Sequence, residues 1–274
     1  MSLINTPLRA LFDALLYPFR ELSPLISLVP ISIVIAIAML LIFKKTSNQD
    51  ALEAVKRKIH AGLFEIRLFN DDLGFIFRSQ TQILRATLTY MRLSIVPMLW
   101  TLPPLILIIA QLQFHYGYEG FAPGQTTQLH VVLNEDQVGD GKPDISVQSP
   151  PGINVIEPAV WVASLREMAW RVDVQALGDF DLEISLGGEA VVKTVHAGGS
   201  IVRRSPFRVA GFLDELIYPA EPALPSDSPF ELITIDYVDT NVDVFGFGIH
   251  WMIVFFILSM AFAFALRKPF GVTL

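Results

Sequence analysis

The sequence predicts an α-helical membrane protein with three transmembrane helices, N-terminus out and C-terminus in. It adds a cytoplasmic helical hairpin and an external β-rich domain. Three observations predict this class. Apolar runs at about 25–43, 93–112 and 247–266 each approach or reach the roughly 20 residues needed to cross a hydrocarbon core. Charged residues make up only 17% of the chain, against about 25% in a soluble domain. The connecting segments carry opposite charge: residues 44–92 hold nine Lys/Arg against five Asp/Glu, and residues 113–246 hold seven against twenty.

That asymmetry sets the orientation, because short loops rich in Lys/Arg stay in the cytoplasm. Residues 44–92 are therefore inside, residues 113–246 outside, and Arg267-Lys268 returns the chain to the cytoplasm. The net charge of −7 conceals a loop of +4, an external domain of −13 and a tail of +2. An acidic external face excludes nucleic acid recognition as a function class. The chain has no cysteine, which excludes disulfides, Cys-based zinc sites and thiol catalysis.

Residues 1–24 form the first element, an external interfacial helix. Thr6 suits a helix cap and Pro7 the first helical turn. Leu8, Leu11, Phe12, Leu15 and Leu16 share one face at helical spacing, the pattern of a helix lying flat in a membrane interface. The first span, 25–43, ends at Lys44-Lys45 rather than at a small-residue cleavage site, so it is expected to be retained.

Residues 44–92 follow as a coiled-coil hairpin. Asp50 is a plausible cap. Leu52, Val55, Ile59, Gly62, Ile66, Phe69, Leu73 and Ile76 alternate three and four apart, as in a coiled-coil seam. Gly62 is the one poor seam residue. Asn70-Asp71-Asp72 followed by Gly74 predicts a break into two helices. The second helix feeds the span 93–112, which contains Pro97, Pro103 and Pro104. Three prolines free carbonyls and kink the axis, which a simple anchor would not need.

Residues 113–246 make up the external domain. Short strands are expected at Gln128–Leu133, Asp144–Gln148, Asn154–Ile156, Ala169–Ala176, Phe180–Leu186 and Ala190–Val195, with turns between them. Trp161 and Trp170 are core candidates. The spacing over about 125–200 fits an immunoglobulin-like β-sandwich. Residues 201–245 carry Pro206, Pro219, Pro222, Pro225 and Pro229 and read as an extended return to the third span, 247–266, before the tail 267–274.

Chemistry-bearing motifs are sparse. None of the five histidines has a metal-ligand partner at i+3 or i+4, although His115 and His250 both fall near the outer boundary. Glu135-Asp136 to Asp144 lacks the alternating acids of a calcium loop and reads as a solvated hairpin loop. Gly198-Gly199-Ser200 does not match a phosphate loop, and Arg203-Arg204 reads as a local salt bridge or lipid contact. No nucleophile signature is present, so neither an enzyme nor a cofactor is expected.

Polar residues inside spans are costly in lipid and usually face a partner or water. Ser32, Thr101 and Gln111 are such residues. Arg85 and Arg92 stand at the cytoplasmic mouth of the second span. Met39 and Met98 suit a surface that accommodates varied apolar partners.

This order of parts resembles the YidC-like insertase superfamily, including the core insertase subunit of the endoplasmic reticulum membrane complex. The similarity covers residues 5–112 and, more weakly, 247–268. Its most specific piece is Pro97-Met-Leu-Trp-Thr-Leu-Pro103, with the acidic break Asn70-Asp71-Asp72-Leu73-Gly74 beside it. The chain departs from the YidC proteins in lacking an Arg in the first core span, in having three spans rather than five, and in its external β-domain.

The resemblance implies a groove open to the cytoplasm that guides client helices into the membrane, lined by Arg85, Arg92, Pro97, Thr101, Pro103, Gln111, Met39, Met98 and Ser32. It implies the lipid bilayer, client or complex-forming membrane proteins and a ribosome or nascent chain as partners, in a bacterial inner membrane. The competing expectation is a non-catalytic accessory subunit of a larger membrane complex, docked through the β-domain.

Overall fold

Helices dominate the first 116 residues and antiparallel strands the next 130. The computed structural model describes residues 5–69, 71–137 and 141–273. The elements are α1 (Asn5–Leu16), α2 (Pro24–Thr46), α3 (Gln49–Leu68), α4 (Leu73–Tyr116), β1 (Thr126–Leu133), β2 (Ser146–Gln148), β3 (Ile153–Val162), β4 (Glu167–Val174), β5 (Gly178–Leu186), β6 (Glu189–Ala197), β7 (Phe207–Val209), α5 (Phe212–Ile217), β8 (Phe230–Ile235), β9 (Val242–Val244), β10 (Phe247–Ile249) and α6 (Trp251–Leu266). They divide into two compact units, Met1–Leu28 with Leu107–Val254, and Val29–Ile106 with Phe255–Leu274.

The first unit contains the β-domain. A five-stranded sheet, ordered β3-β4-β1-β8-β7, and a three-stranded sheet, β2-β5-β6, share one core. Every pairing is antiparallel. Alternation explains the core directly: Phe180, Leu182 and Ile184 of β5 turn inward, opposite Leu129, Val131 and Leu133 of β1 and Met168, Trp170 and Val172 of β4. Trp170 is fully packed, whereas Trp161 is only half-buried at its edge.

The segment read as an extended return differs most from expectation. Phe230–Ile235 is a strand between β1 and β7, inside the larger sheet. Its pattern Phe-Glu-Leu-Ile-Thr-Ile buries Phe230, Ile233 and Ile235. The prolines that suggested an irregular return all precede it, and Pro229 sits just before its first residue. β3 also runs on past the expected Ile156 to Val162, with a register shift between Ile156 and Val160. Pro158 has no N–H for the ladder, and an irregularity accommodates it. The loop expected at 134–143 lies partly outside the described residues.

In the second unit, α3 and the start of α4 form the helical hairpin. Asn48, not Asp50, caps α3: its Oδ1 accepts from the Ala51 amide at 3.0 Å. Asp50 instead sits in the first turn, where its charge suits the helix dipole. Asp72 caps α4, its Oδ1 accepting from the Phe75 amide at 3.1 Å. Asn70 of the expected break lies outside the described residues.

Two helices are long and apolar enough to cross a membrane, Pro24–Thr46 and Leu73–Tyr116. α4 runs unbroken through Pro97, Pro103 and Pro104 for 44 residues, about 66 Å at 1.5 Å per residue. The segment expected as a third span, 247–266, is helical only from Trp251 and is shorter than these two helices. Phe247–Ile249 belong to a β-hairpin, leaving α6 with 16 residues, about 24 Å long.

Candidate functional site

The hairpin is built around Gly62. A Cβ there would lie 2.7 Å from Ile83 Cγ1 on the facing helix, so α3 and α4 come close where the seam has no side chain. Leu52 and Val55 are buried, whereas Phe69 and Leu73 at the far end are exposed. Burial along the seam thus falls toward the break, where Phe69 and Phe75 pack with ring centroids 4.7 Å apart.

Beside Gly62 lies a cavity of about 440 Å³ lined by Val55, Lys58, Ala61, Gly62, Glu65, Gln82, Arg85, Ala86 and Thr89. Its walls are small or polar, with Lys58 and Glu65 on α3 and Gln82 and Arg85 on α4. Glu65 also accepts a hydrogen bond from Ser79 Oγ at 3.1 Å, which ties the helices beyond the cavity. Arg85 and Lys58 form no ion pair among the described residues. Two basic groups with open valences thus face one cleft.

The expected groove residues distribute unevenly. Arg92 is exposed on α4, one heptad beyond Arg85 and outside the cavity. Pro97 is buried, while Met98 and Pro103 are exposed. Thr101 is half-buried and donates to the Met98 carbonyl at 2.8 Å. Met39 is half-buried, and Ser32 is buried with its hydroxyl unpartnered. Gln111 lies in the other unit, buried with an unpartnered Oε1. The structure therefore gathers Arg85 with Lys58, Glu65 and Gln82, which sequence reasoning missed. Lys58 and Glu65 are seven residues apart around Gly62, a same-face signal readable only once Gly62 is recognised as the contact point.

Only 6% of the most apolar window of α4 is buried within the protein. Ile95, Val96, Leu99, Trp100, Leu102 and Ile106 are exposed along it. An uncovered apolar helix of this length is not a soluble core element, since soluble proteins rarely expose contiguous apolar patches of that size.

The first unit spends its buried charges internally. Arg203 donates to Asp13 Oδ1 at 2.7 Å, to the Arg9 carbonyl at 3.0 Å and to the Pro219 carbonyl at 3.2 Å. His115 Nε2 lies 3.2 Å from the same Asp13 oxygen, so this histidine pairs with α1. Burial raises the Asp13 carboxyl, but the His115 hydrogen bond and the Arg203 charge outweigh it and hold the group below the ordinary carboxylate range. Phe12 and Leu16 of α1 are buried and Leu11 is exposed.

Deeper in the domain, fully buried Lys193 donates to Glu221 at 2.5 Å and to the Ser205 hydroxyl at 2.7 Å and carbonyl at 2.5 Å. Burial pushes the Lys193 ammonium down while Glu221 pulls it back up. No group of three or more His, Asp or Glu side chains poised for a metal occurs among the described residues. The chain matches no family model, no curated protein and no solved structure.

Proposed function

We propose that this chain is a membrane protein insertase or assembly factor resembling the YidC-like superfamily, seated in a bacterial inner membrane with its N-terminus and immunoglobulin-like β-domain outside. One observation carries the reading. A single 44-residue helix joins a polar, basic hairpin cleft to an apolar face that the protein leaves uncovered. A client segment engaged at Lys58 and Arg85 would follow α4 past Arg92 toward Met98 and Thr101. No bond is made or broken. The protein would lower the cost of moving a polar flank through hydrocarbon, about 2.5–3.5 kcal/mol for one charge at mid-membrane on insertion scales. Α6, with Arg267 and Lys268 beyond its end, completes a three-span arrangement in this reading.

The test is site-specific photocrosslinking from Thr89 and Met98 in cells, combined with depletion. Short-tailed membrane clients should crosslink at both positions and accumulate uninserted after depletion. Normal insertion of every client tested overturns the proposal.

A second reading is a non-catalytic accessory subunit docked through the β-domain. It is favoured by β3, a ten-residue strand at the edge of the larger sheet with Val160 exposed on it. Native purification separates the two. A complex of fixed stoichiometry supports the subunit, whereas ribosomes or nascent chains support the insertase.

A further inference from the structure

The β9–β10 hairpin has no place in the β-domain core and belongs to neither of its two sheets. Val244 pairs with Phe247 and Val242 with Ile249, which leaves Phe245-Gly246 as a two-residue turn. Both turn residues have positive φ, 55° at Phe245 and 88° at Gly246. The Gly246 amide donates to Asp243 Oδ1 at 2.7 Å. Asn or Asp is the usual residue at the first of these positions, because its short polar side chain tolerates the left-handed region. Here a phenylalanine occupies it, 93% exposed, with Phe247 beside it 72% exposed. Water offers no reason to hold two phenyl rings on a turn that prefers a polar residue.

The base of the hairpin is fixed at a definite level. The Thr240 amide donates to the Gly117 carbonyl at 3.0 Å, and the Glu119 amide to the Val238 carbonyl at 2.8 Å. One leg therefore starts where α4 ends, at Tyr116. The other leg reaches Ile249, two residues before α6 begins at Trp251. Trp251 is buried, stacks on Tyr116 with ring centroids 6.3 Å apart and donates its indole N–H to Gln113 at 2.9 Å. The hairpin thus springs from the ends of two apolar helices that meet there.

Length places that level near the hydrocarbon boundary. From Arg267 outward, α6 covers about 24 Å of a core roughly 30 Å thick. The shortfall of about 6 Å is some two strand residues at 3.3 Å each, and β10 supplies them. With two or three residues in each leg, the tip lies within roughly 10 Å of the base. That distance remains within reach of the headgroup and upper acyl region.

Resting on the reading that α4 and α6 span the membrane, we infer that the β9–β10 hairpin is a lipid-inserting finger of the outer leaflet, with Phe245 and Phe247 seated at the headgroup–acyl boundary. The occupant of this exposed aromatic tip is the lipid surface itself.

The cysteine-free chain allows a direct test. Single variants Phe245→Cys, Phe247→Cys, Ile257→Cys on the exposed face of α6 and Glu183→Cys on β5 are spin-labelled. The full-length protein is reconstituted in vesicles of phosphatidylethanolamine and phosphatidylglycerol. Collision with oxygen is compared with collision with a water-soluble nickel chelate. Labels at 245 and 247 should give an oxygen-to-nickel ratio below that at the deeper 257 and several-fold above that at 183. If 257 is shielded from nickel but 245 and 247 match 183, the finger is wrong and the spans stand. If 257 also matches 183, both readings fall. Labels at 245 and 247 shielded from both reagents indicate a second copy of the chain on the tip, which also overturns the inference.

Discussion

The β-domain and the helical hairpin use charge in opposite ways. In the β-domain, Lys193 and Arg203 are each held by two or more partners, and Asp13 of α1 is held by Arg203 and His115, so removing one leaves another charge stranded. In the hairpin, Lys58, Arg85 and Arg92 make no ion pair among the described residues, and two of them line a cleft. The difference teaches which charges hold the fold and which are free to meet something else. Acidic by composition, the β-domain is locked internally at its core. The basic hairpin has Phe64, Leu68, Leu73 and Phe77 exposed, and its valences remain open.

The largest effect should come from Lys193→Ala. It leaves half-buried Glu221 without its nearest counter-charge, though still with the Thr194 amide and Ser205 hydroxyl, at a cost of about 3 kcal/mol, while replacing both residues of such a pair by apolar ones of similar volume is often neutral. Chemical unfolding of the full chain in detergent should show a large loss for Lys193→Ala and recovery of most of it in Lys193→Met with Glu221→Leu. Equal losses in both would show that the pair does not hold this region.

Next in size is Arg203→Ala, which removes the charge-assisted contacts to Asp13 and the Arg9 carbonyl that fasten α1 and should cost about 1.5–3 kcal/mol. Hydrogen exchange across residues 5–16 should rise, with little change in the hairpin. The same anchor carries a pH signature. The Asp13 carboxyl is held below its unfolded value of 3.8, so its contribution is complete above about pH 4 and is lost as pH falls through the folded value. Limited pepsin digestion should release α1 more readily as pH drops below about 4. Asp13→Asn should abolish that dependence.

Legibility in the sequence follows the same divide. Apolar runs could be read from composition alone, and the alternation of β5 because burial there follows a local period. β8 could not, since the run of prolines that leads into it, ending at Pro229, speaks for a loop. Lys193 and Glu221 stand 28 positions apart, and no spacing rule links them. Arg85 was accessible from its position before the second span. Its cleft partners Lys58 and Glu65 were not, because a glycine in a seam reads as a defect until the facing Ile83 is placed. The start of α6 was hidden for a different reason: Phe-Gly-Phe-Gly-Ile is as apolar in a hairpin as in a helix.

Gly62→Ala sharpens the contrast at a smaller scale. The new Cβ would meet Ile83 Cγ1 at 2.7 Å. Overpacking of about 1–3 kcal/mol, less roughly 1 kcal/mol of helix propensity, leaves a net loss of about 1 kcal/mol. Ile83→Ala in the same chain removes the clash, so the double variant should regain part of the loss. Thermal unfolding of the hairpin, followed by a distance probe between residues 58 and 85, reads both the stability and the width of the cleft. An unchanged width would mean that Gly62 does not set the approach of the helices.

The smallest stability effect and the most direct functional one belong to Arg85→Glu. An exposed, unpaired cation carries little of the fold, so its reversal should move stability by no more than about 0.5 kcal/mol. An acidic client flank would lose an attraction of up to about 1 kcal/mol, roughly fivefold in engagement. Lys58→Glu should act similarly, because both line the cleft, and Arg92→Glu should act less, because it lies outside it. High salt should erase the differences, since exposed charges beyond about 10 Å are screened. Insertion of a short acidic-tailed client into vesicles, measured for the three variants, ranks them. A ranking led by Arg92 would move the point of capture from the hairpin cleft to the membrane mouth. No loss in any of the three would mean that the open valences of the hairpin meet no client, leaving its basic face to anionic lipid alone.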